Sequence, residues 1–324
     1  MTNFQVYKKT LSFSFLQFVF GMISLGGLIG CCVGGFYIAE GMASSKGLIG
    51  LAVGLVIGII IAILINYLIL NRIKAAQIAM MTKGVTEGEL PDHVTHAGFE
   101  EIKGRFGKIT VFFFVTGAIK GVFRQIGRSI NRIGTAVGGE VGNGITSAID
   151  SAIQTLIDYL CDCCLGWVLY RKDMNSAAAA CEGAVIFFKH GKTLIRNVGR
   201  IFGMGLLSLV LFGGAFFGII YVTLLQFPQM FDALIAEITN AAAESGSQVS
   251  EIVTNPTTFV IFVSALSAVI IWSILHSVIV RPFILVGVLR NFMEAGKAHM
   301  PTEADLEELE RTSPKFAKLR KNNI

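Results

Sequence analysis

Three aspartates, Asp150, Asp158 and Asp162, stand eight and four residues apart in a stretch where Ile145, Ile149, Ile153, Leu156, Ile157 and Leu160 recur at helical spacing. On a helix the carboxylates fall on one side and the apolar side chains largely on another. Carboxylates are costly at membrane depth, and where they occur there they mark ion or solute paths. If the 145–170 segment crosses a membrane, the three form a polar path. If it lies on a surface, they are its wetted face.

Other reactive residue types are sparse. His93 and His96 have a spacing that can offer two imidazoles to one metal, with Asp92, Glu100 and Glu101 nearby. Metal sites want three or four ligands, so these read as surface histidines and no metal is expected. Cys161, Cys163 and Cys164 lack the paired spacing of a zinc site. They read as small packing residues, with S-acylation as the plausible modification. No phosphate-binding glycine loop, catalytic triad motif or HExxH sequence is present. An enzyme is therefore not expected, and no cofactor is called for.

Two basic ladders are more prominent. Lys120, Arg124, Arg128 and Arg132 recur every four residues opposite Ile119, Val122, Phe123, Ile126, Ile130 and Ile133. Lys189, Lys192, Arg196 and Arg200 form the second ladder. A basic stripe beside an apolar face suits a helix lying at a lipid surface, where each cation near anionic headgroups contributes about 1 kcal/mol. Anionic membrane lipids are the expected partners, and no nucleic-acid motif is present.

The elements that position these groups follow from composition. Hydrophobic residues make up 53% of the 324 and charged residues only 15%. Residues 11–39, 47–71, 201–231 and 252–280 carry no charge at all. Each exceeds the ~20 residues that cross a hydrocarbon core. Of the 27 basic residues, two precede the first stretch, sixteen lie between the second and third, eight follow the fourth, and only Lys46 faces the other side. This bias places both termini in the cytoplasm. The expected fold is thus all-α, a polytopic integral membrane protein with four transmembrane helices and amphipathic interfacial or re-entrant helices in the middle. Residues 1–74 form a transmembrane hairpin and 75–108 a polar, turn-rich link. Residues 109–200 are interface helices, with the alternative that part of them enters the bilayer and raises the spans from four to six. A second hairpin covers 201–280 with an acidic outer loop at 227–256, and 281–324 form a tail opened by the capping pattern of Thr302 and Asp305.

The spans carry their own pattern. Gly26, Gly30 and Gly34 in the first, and Gly50, Gly54 and Gly58 in the second, recur every fourth residue. Such stripes let helix backbones approach closely in lipid, against each other or against another subunit. The segment Leu-Ile-Arg-Asn-Val-Gly-Arg-Ile at 194–201, running into a span, an outer loop and a last span, resembles the C-terminal part of choline transporter-like proteins. That resemblance implies a solute-carrying membrane protein, but it covers eight residues and the order of elements and transfers no binding residue. The residues themselves favour a non-catalytic component of the cell membrane, a homo- or hetero-oligomeric scaffold or subunit. The alternative is a small-solute transporter or channel with its path along 145–170.

Overall fold

The computed structural model describes residues 1–42, 47–105, 117, 119–122, 143–195, 198–244 and 255–321. Among them there are helices and no strand. Four helices are long and apolar enough to cross a membrane: Leu11–Met42, Gly47–Thr86, Gly203–Leu224 and Pro256–Ala298. The second and fourth run 40 and 43 residues, about twice what one crossing needs. Their surplus is the key to the architecture. The chain divides into two compact units, one of residues 1–17, 70–202 and 281–324, the other of 18–69 and 203–280.

The second unit holds the apolar helices. Helix α2 (Leu11–Met42) and α3 (Gly47–Ile65) meet through the second-span glycines. A Cβ at Gly54 would lie 2.1 Å from the Cys31 carbonyl oxygen, and one at Gly50 2.1 Å from that of Gly35. Gly58 abuts the Leu28 backbone, whereas Gly26, Gly30 and Gly34 have nothing within 4 Å. The first-span stripe thus does not face α3; Gly35 and the Cys31 and Leu28 backbones do. A four-residue repeat drifts around a 3.6-residue helix, so equal periods do not guarantee facing stripes. Helix α9 (Gly214–Leu224) packs on α11 (Pro256–Leu275), with α10 (Pro228–Glu244) covering one end. Ile235, Phe259 and Val260 form a small core there with Tyr221, Leu224 and Val263. Asn255 caps α11, its side-chain oxygen accepting from the Thr257 and Thr258 amides, with Pro256 at the first helical position. Most other large side chains point outward, including Ile29, Ile57, Leu206 and Ile219. Water would not tolerate so continuous an apolar surface; lipid solvates it.

The first unit has a conventional core made largely from the surplus turns. Past Leu70 the second span continues as α4 (Asn71–Thr86), which buries Ile73, Ala76, Ile78, Met80 and Met81. Past Val280 the fourth continues as α12 (Arg281–Ala298), burying Ile284, Leu285, Val286, Leu289 and Phe292. These two pack on each other and on α6 (Asn143–Tyr170), with α5 (Val94–Arg105) and α7 (Ser176–Ile195) completing the layers. Each fully buried Leu, Ile, Met or Phe contributes roughly 1.5–3 kcal/mol. Trp167 is wholly buried against Gly296, where any Cβ would come within 2.5 Å of its ring. Helix α1 (Asn3–Lys9) starts with a Thr2–Gln5 capping box, and Arg290 holds it down by donating to Asn3 Oδ1 and the Met1 carbonyl. Helices α13 (Glu303–Thr312) and α14 (Pro314–Lys321) close over α7, with the Thr302–Asp305 capping box in place.

One expectation changes here. Within the polar link, residues 75–86 and 94–105 are helical, and the turn between them covers 87–93, where Gly88 adopts φ 80°. The apolar stretch after Pro282 is the buried face of α12. Proline is tolerated there because a π turn, His276–Val280, precedes it. A second π turn, Asn66–Leu70, precedes α4, and a third, Leu209–Gly213, lies between α8 (Val198–Ser208) and α9. Each extra residue rotates the following face by about 100° while the helix continues.

Gly54→Leu should collapse the α2–α3 contact, lowering stability by at least about 1–3 kcal/mol through forced backbone separation. Gly218→Leu, where a Cβ meets nothing within 4 Å, should be neutral. Thermal melting of both variants in detergent checks the contrast.

Candidate functional site

Asp162 is the most constrained charge in the first unit. It sits on α6 with only 6% of its surface exposed. Lys74 of α4 reaches its Oδ1 at 2.6 Å, and Arg281, the first residue of α12, donates from Nη2 to Oδ2 at 2.8 Å. Both cations come from helices that continue apolar spans, within a few residues of the boundary between the units. Burial works to raise the Asp162 pKa, but the two cations outweigh it and hold the carboxyl below its ordinary value. The Arg281 guanidinium also lies over the Tyr159 ring, 5.4 Å from its centroid. Burial pushes the Tyr159 phenol up to about 12. Its hydroxyl and Arg281 Nε have no hydrogen-bond partner among the described residues. One turn earlier on α6, Asp158 pairs with Lys120 at 3.4 Å near the surface.

A second polar network ties α5, α6 and α7 together. Trp167 Nε1 donates to Glu182 at 2.9 Å, and Arg171 donates to both Glu182 oxygens and, bidentately, to Asp173. Arg105 donates to the Arg171 carbonyl at 2.8 Å. On another side Gln77 links Gln17, Ser14 and the Thr10 carbonyl in one buried chain. Sequence reasoning passed over Lys74, Arg281, Glu182 and Gln77. Cations just past a span look the same whether they face headgroups or a buried carboxylate.

The predicted site residues divide accordingly. Asp158 and Asp162 are partners in ion pairs of the first unit, and α6 is not among the helices fit to cross a membrane. The Asp150 side chain lies outside the described residues, as do Arg124, Arg128, Arg132 and Arg196 and the side chains of Lys192 and Arg200. Lys120 pairs with Asp158 and Lys189 with Asp305, so these two rungs hold protein carboxylates. Cys163 and Cys164 are wholly buried, which pushes their thiols well up. Cys161 is pushed to about 12 by burial and then by Asp162. Such thiols are neither nucleophiles nor ready acylation sites. No group of three or more His, Cys, Asp or Glu among the described residues could hold a metal ion.

In the second unit one polar cluster stands among apolar helices. Ser208 Oγ donates to the Gly205 carbonyl, accepts from Trp272 Nε1 at 3.1 Å, and lies 3.0 Å from His276 Nδ1. Ser208 immediately precedes one π turn and His276 opens another. No protein-family model, curated protein or solved structure matches the chain.

Removing one member of a buried ion cluster leaves the others unpaired, a loss of about 3–5 kcal/mol. Asp162→Ala should therefore destabilise the first unit by that order, measured by chemical denaturation in detergent. The pH dependence has a definite sign. A depressed folded pKa makes this contribution complete above the unfolded carboxylate value, about 4. Stability should then fall as the pH drops below about 4 toward the folded value, and Asp162→Asn should flatten that fall. Maleimide should label Cys163 and Cys164 only after unfolding.

Proposed function

We propose that the chain is a non-catalytic, multi-pass component of a cell-membrane assembly, an oligomeric scaffold or subunit, with the first unit on the cytoplasmic side. The observation that carries this reading is the engagement of Asp158 and Asp162 by Lys120, Lys74 and Arg281 inside the first unit. Carboxylates neutralised there are not available to line a conducting path. The distribution of basic residues supports the orientation, since 26 of 27 fall on the side of the first unit. Gly26, Gly30 and Gly34 support assembly, for they leave a face of α2 where a second helix backbone can approach. Ladder cations beyond Lys120 and Lys189 supply contact with anionic lipid.

A second reading, small-solute transport, rests on the Ser208–Trp272–His276 cluster. An ionisable residue among span-length helices is a functional candidate by default, and π turns concentrate at functional sites.

Light scattering of the purified chain in detergent should give particles of two or more copies or a stable hetero-complex. Gly30→Leu with Gly34→Leu should dissociate a homo-oligomer, and liposomes bearing the protein should show no solute or proton flux. Single-copy particles with saturable flux abolished by His276→Ala would replace this reading with the second.

A further inference from the structure

A cavity of about 780 Å³ opens in the first unit where the N-terminal segment meets the start of α5. Lys9, Ser12, Asp92, His93, Thr95 and His96 line it. Neither charge network of the unit includes these residues. Thr95 donates its hydroxyl proton to Ser12 Oγ at 2.9 Å, which fixes the two walls together and leaves the Ser12 proton available to donate. Lys9, Asp92, His93 and His96 have no side-chain partner among the described residues. The cavity therefore gathers one ammonium, two imidazoles and one carboxylate without side-chain partners among the described residues, beside a hydroxyl whose proton is free to donate.

The lining excludes several ligands. Two histidines and an aspartate suggest a metal, yet their placement forms no metal-binding group. A purely anionic ligand would be repelled by Asp92, and a simple cation by Lys9. A quaternary ammonium is usually held by Trp, Tyr or Phe rings, and none of these lines this cavity. What suits both signs of charge is a zwitterion with a phosphate at one end and a hydrogen-bonding ammonium at the other. The location narrows the source. Lys9 ends α1, and Ser12 belongs to the first turn of the span-length helix Leu11–Met42. One turn apart on that helix Leu11 and Phe15 are exposed, apolar surface suited to acyl chains.

We propose that this cavity binds the headgroup of a phospholipid bearing a primary ammonium, phosphoethanolamine in chemistry. The phosphate lies on Lys9, the His93 and His96 imidazoles and the Ser12 hydroxyl, and the ammonium on Asp92. Charge-assisted hydrogen bonds at both ends give the pocket its selectivity. The assignment goes beyond the scaffold reading and stands whether the chain is a scaffold or a transporter.

The test uses the full chain, delipidated in detergent and titrated with dioctanoyl phosphatidylethanolamine, phosphatidylglycerol and phosphatidylcholine, with bound lipid counted by native mass spectrometry. One phosphatidylethanolamine per chain is expected, held about tenfold or more tighter than either other lipid. Lys9→Gln and the His93→Gln/His96→Gln pair should each weaken it about tenfold. Asp92→Asn should abolish the preference over phosphatidylglycerol while keeping phosphate-dependent binding. These side chains lie at the surface, and unchanged melting of each lipid-free variant verifies the fold. Soluble phosphoethanolamine binding as tightly as the lipid would support the pocket and assign it to a soluble phosphate ester. Binding unaffected by all these substitutions, no saturable binding, or phosphatidylglycerol at least as tight in the unsubstituted chain overturns the proposal.

Discussion

The burial of Asp162 between Lys74 and Arg281 is the constraint on which the rest of the structure depends. A lone carboxylate at that depth would be untenable, and a lone cation hardly better. The three are acceptable only together, and each comes from a different helix of the first unit. The cluster consequently fixes the register of α4, α6 and α12 against one another, a job that apolar packing does poorly because one Leu or Ile contact resembles the next. Such a cluster contributes little net stability compared with a hydrophobic replacement; its effect is to make alternative registers expensive.

The π turns explain how a cation so near a span can point into a core. The apolar turns of 47–65 and 256–275 have lipid-facing surface over much of their circumference, whereas α4 and α12 need one face dedicated to protein. One inserted residue at 66–70 and another at 276–280 reset the faces without breaking either helix. Proline at 282 is harmless for the same reason, since it falls in the first turn after the reset.

Much of this was legible in the sequence, and the exceptions have physical causes. The four span-length helices and the tail's capping box follow from hydropathy and local chemistry, which need no knowledge of distant contacts. The continuation past residue 71 was hidden by Gly84, Gly88 and Pro91, whose turn signals coloured a stretch whose Ile73, Ala76, Gln77, Met80 and Met81 in fact repeat as one helical face. The roles of Asp158 and Asp162 depend on partners far away in the chain, 119 residues in the case of Arg281. Spacing along one helix shows which side chains share a face but not what that face meets. The glycine stripes show the same limit, since both were visible but only one abuts the neighbouring helix.

The first unit is assembled from the two ends and the middle of the chain, and in chain order the two segments of the second unit, 18–69 and 203–280, come between its parts. During synthesis α4 and α6 are made well before α12, and until residues 281–298 emerge the cavity meant for Leu289 and Phe292 stands open. Asp162 has at that stage only one of its two cations. The first unit therefore cannot complete its fold ahead of the span-length helices, because its last core helix arrives only behind the last of them. Closure of the core is in effect a record that every span-length helix has been made, and a chain stalled or truncated before Arg281 is left with exposed apolar surface that marks it as unfinished.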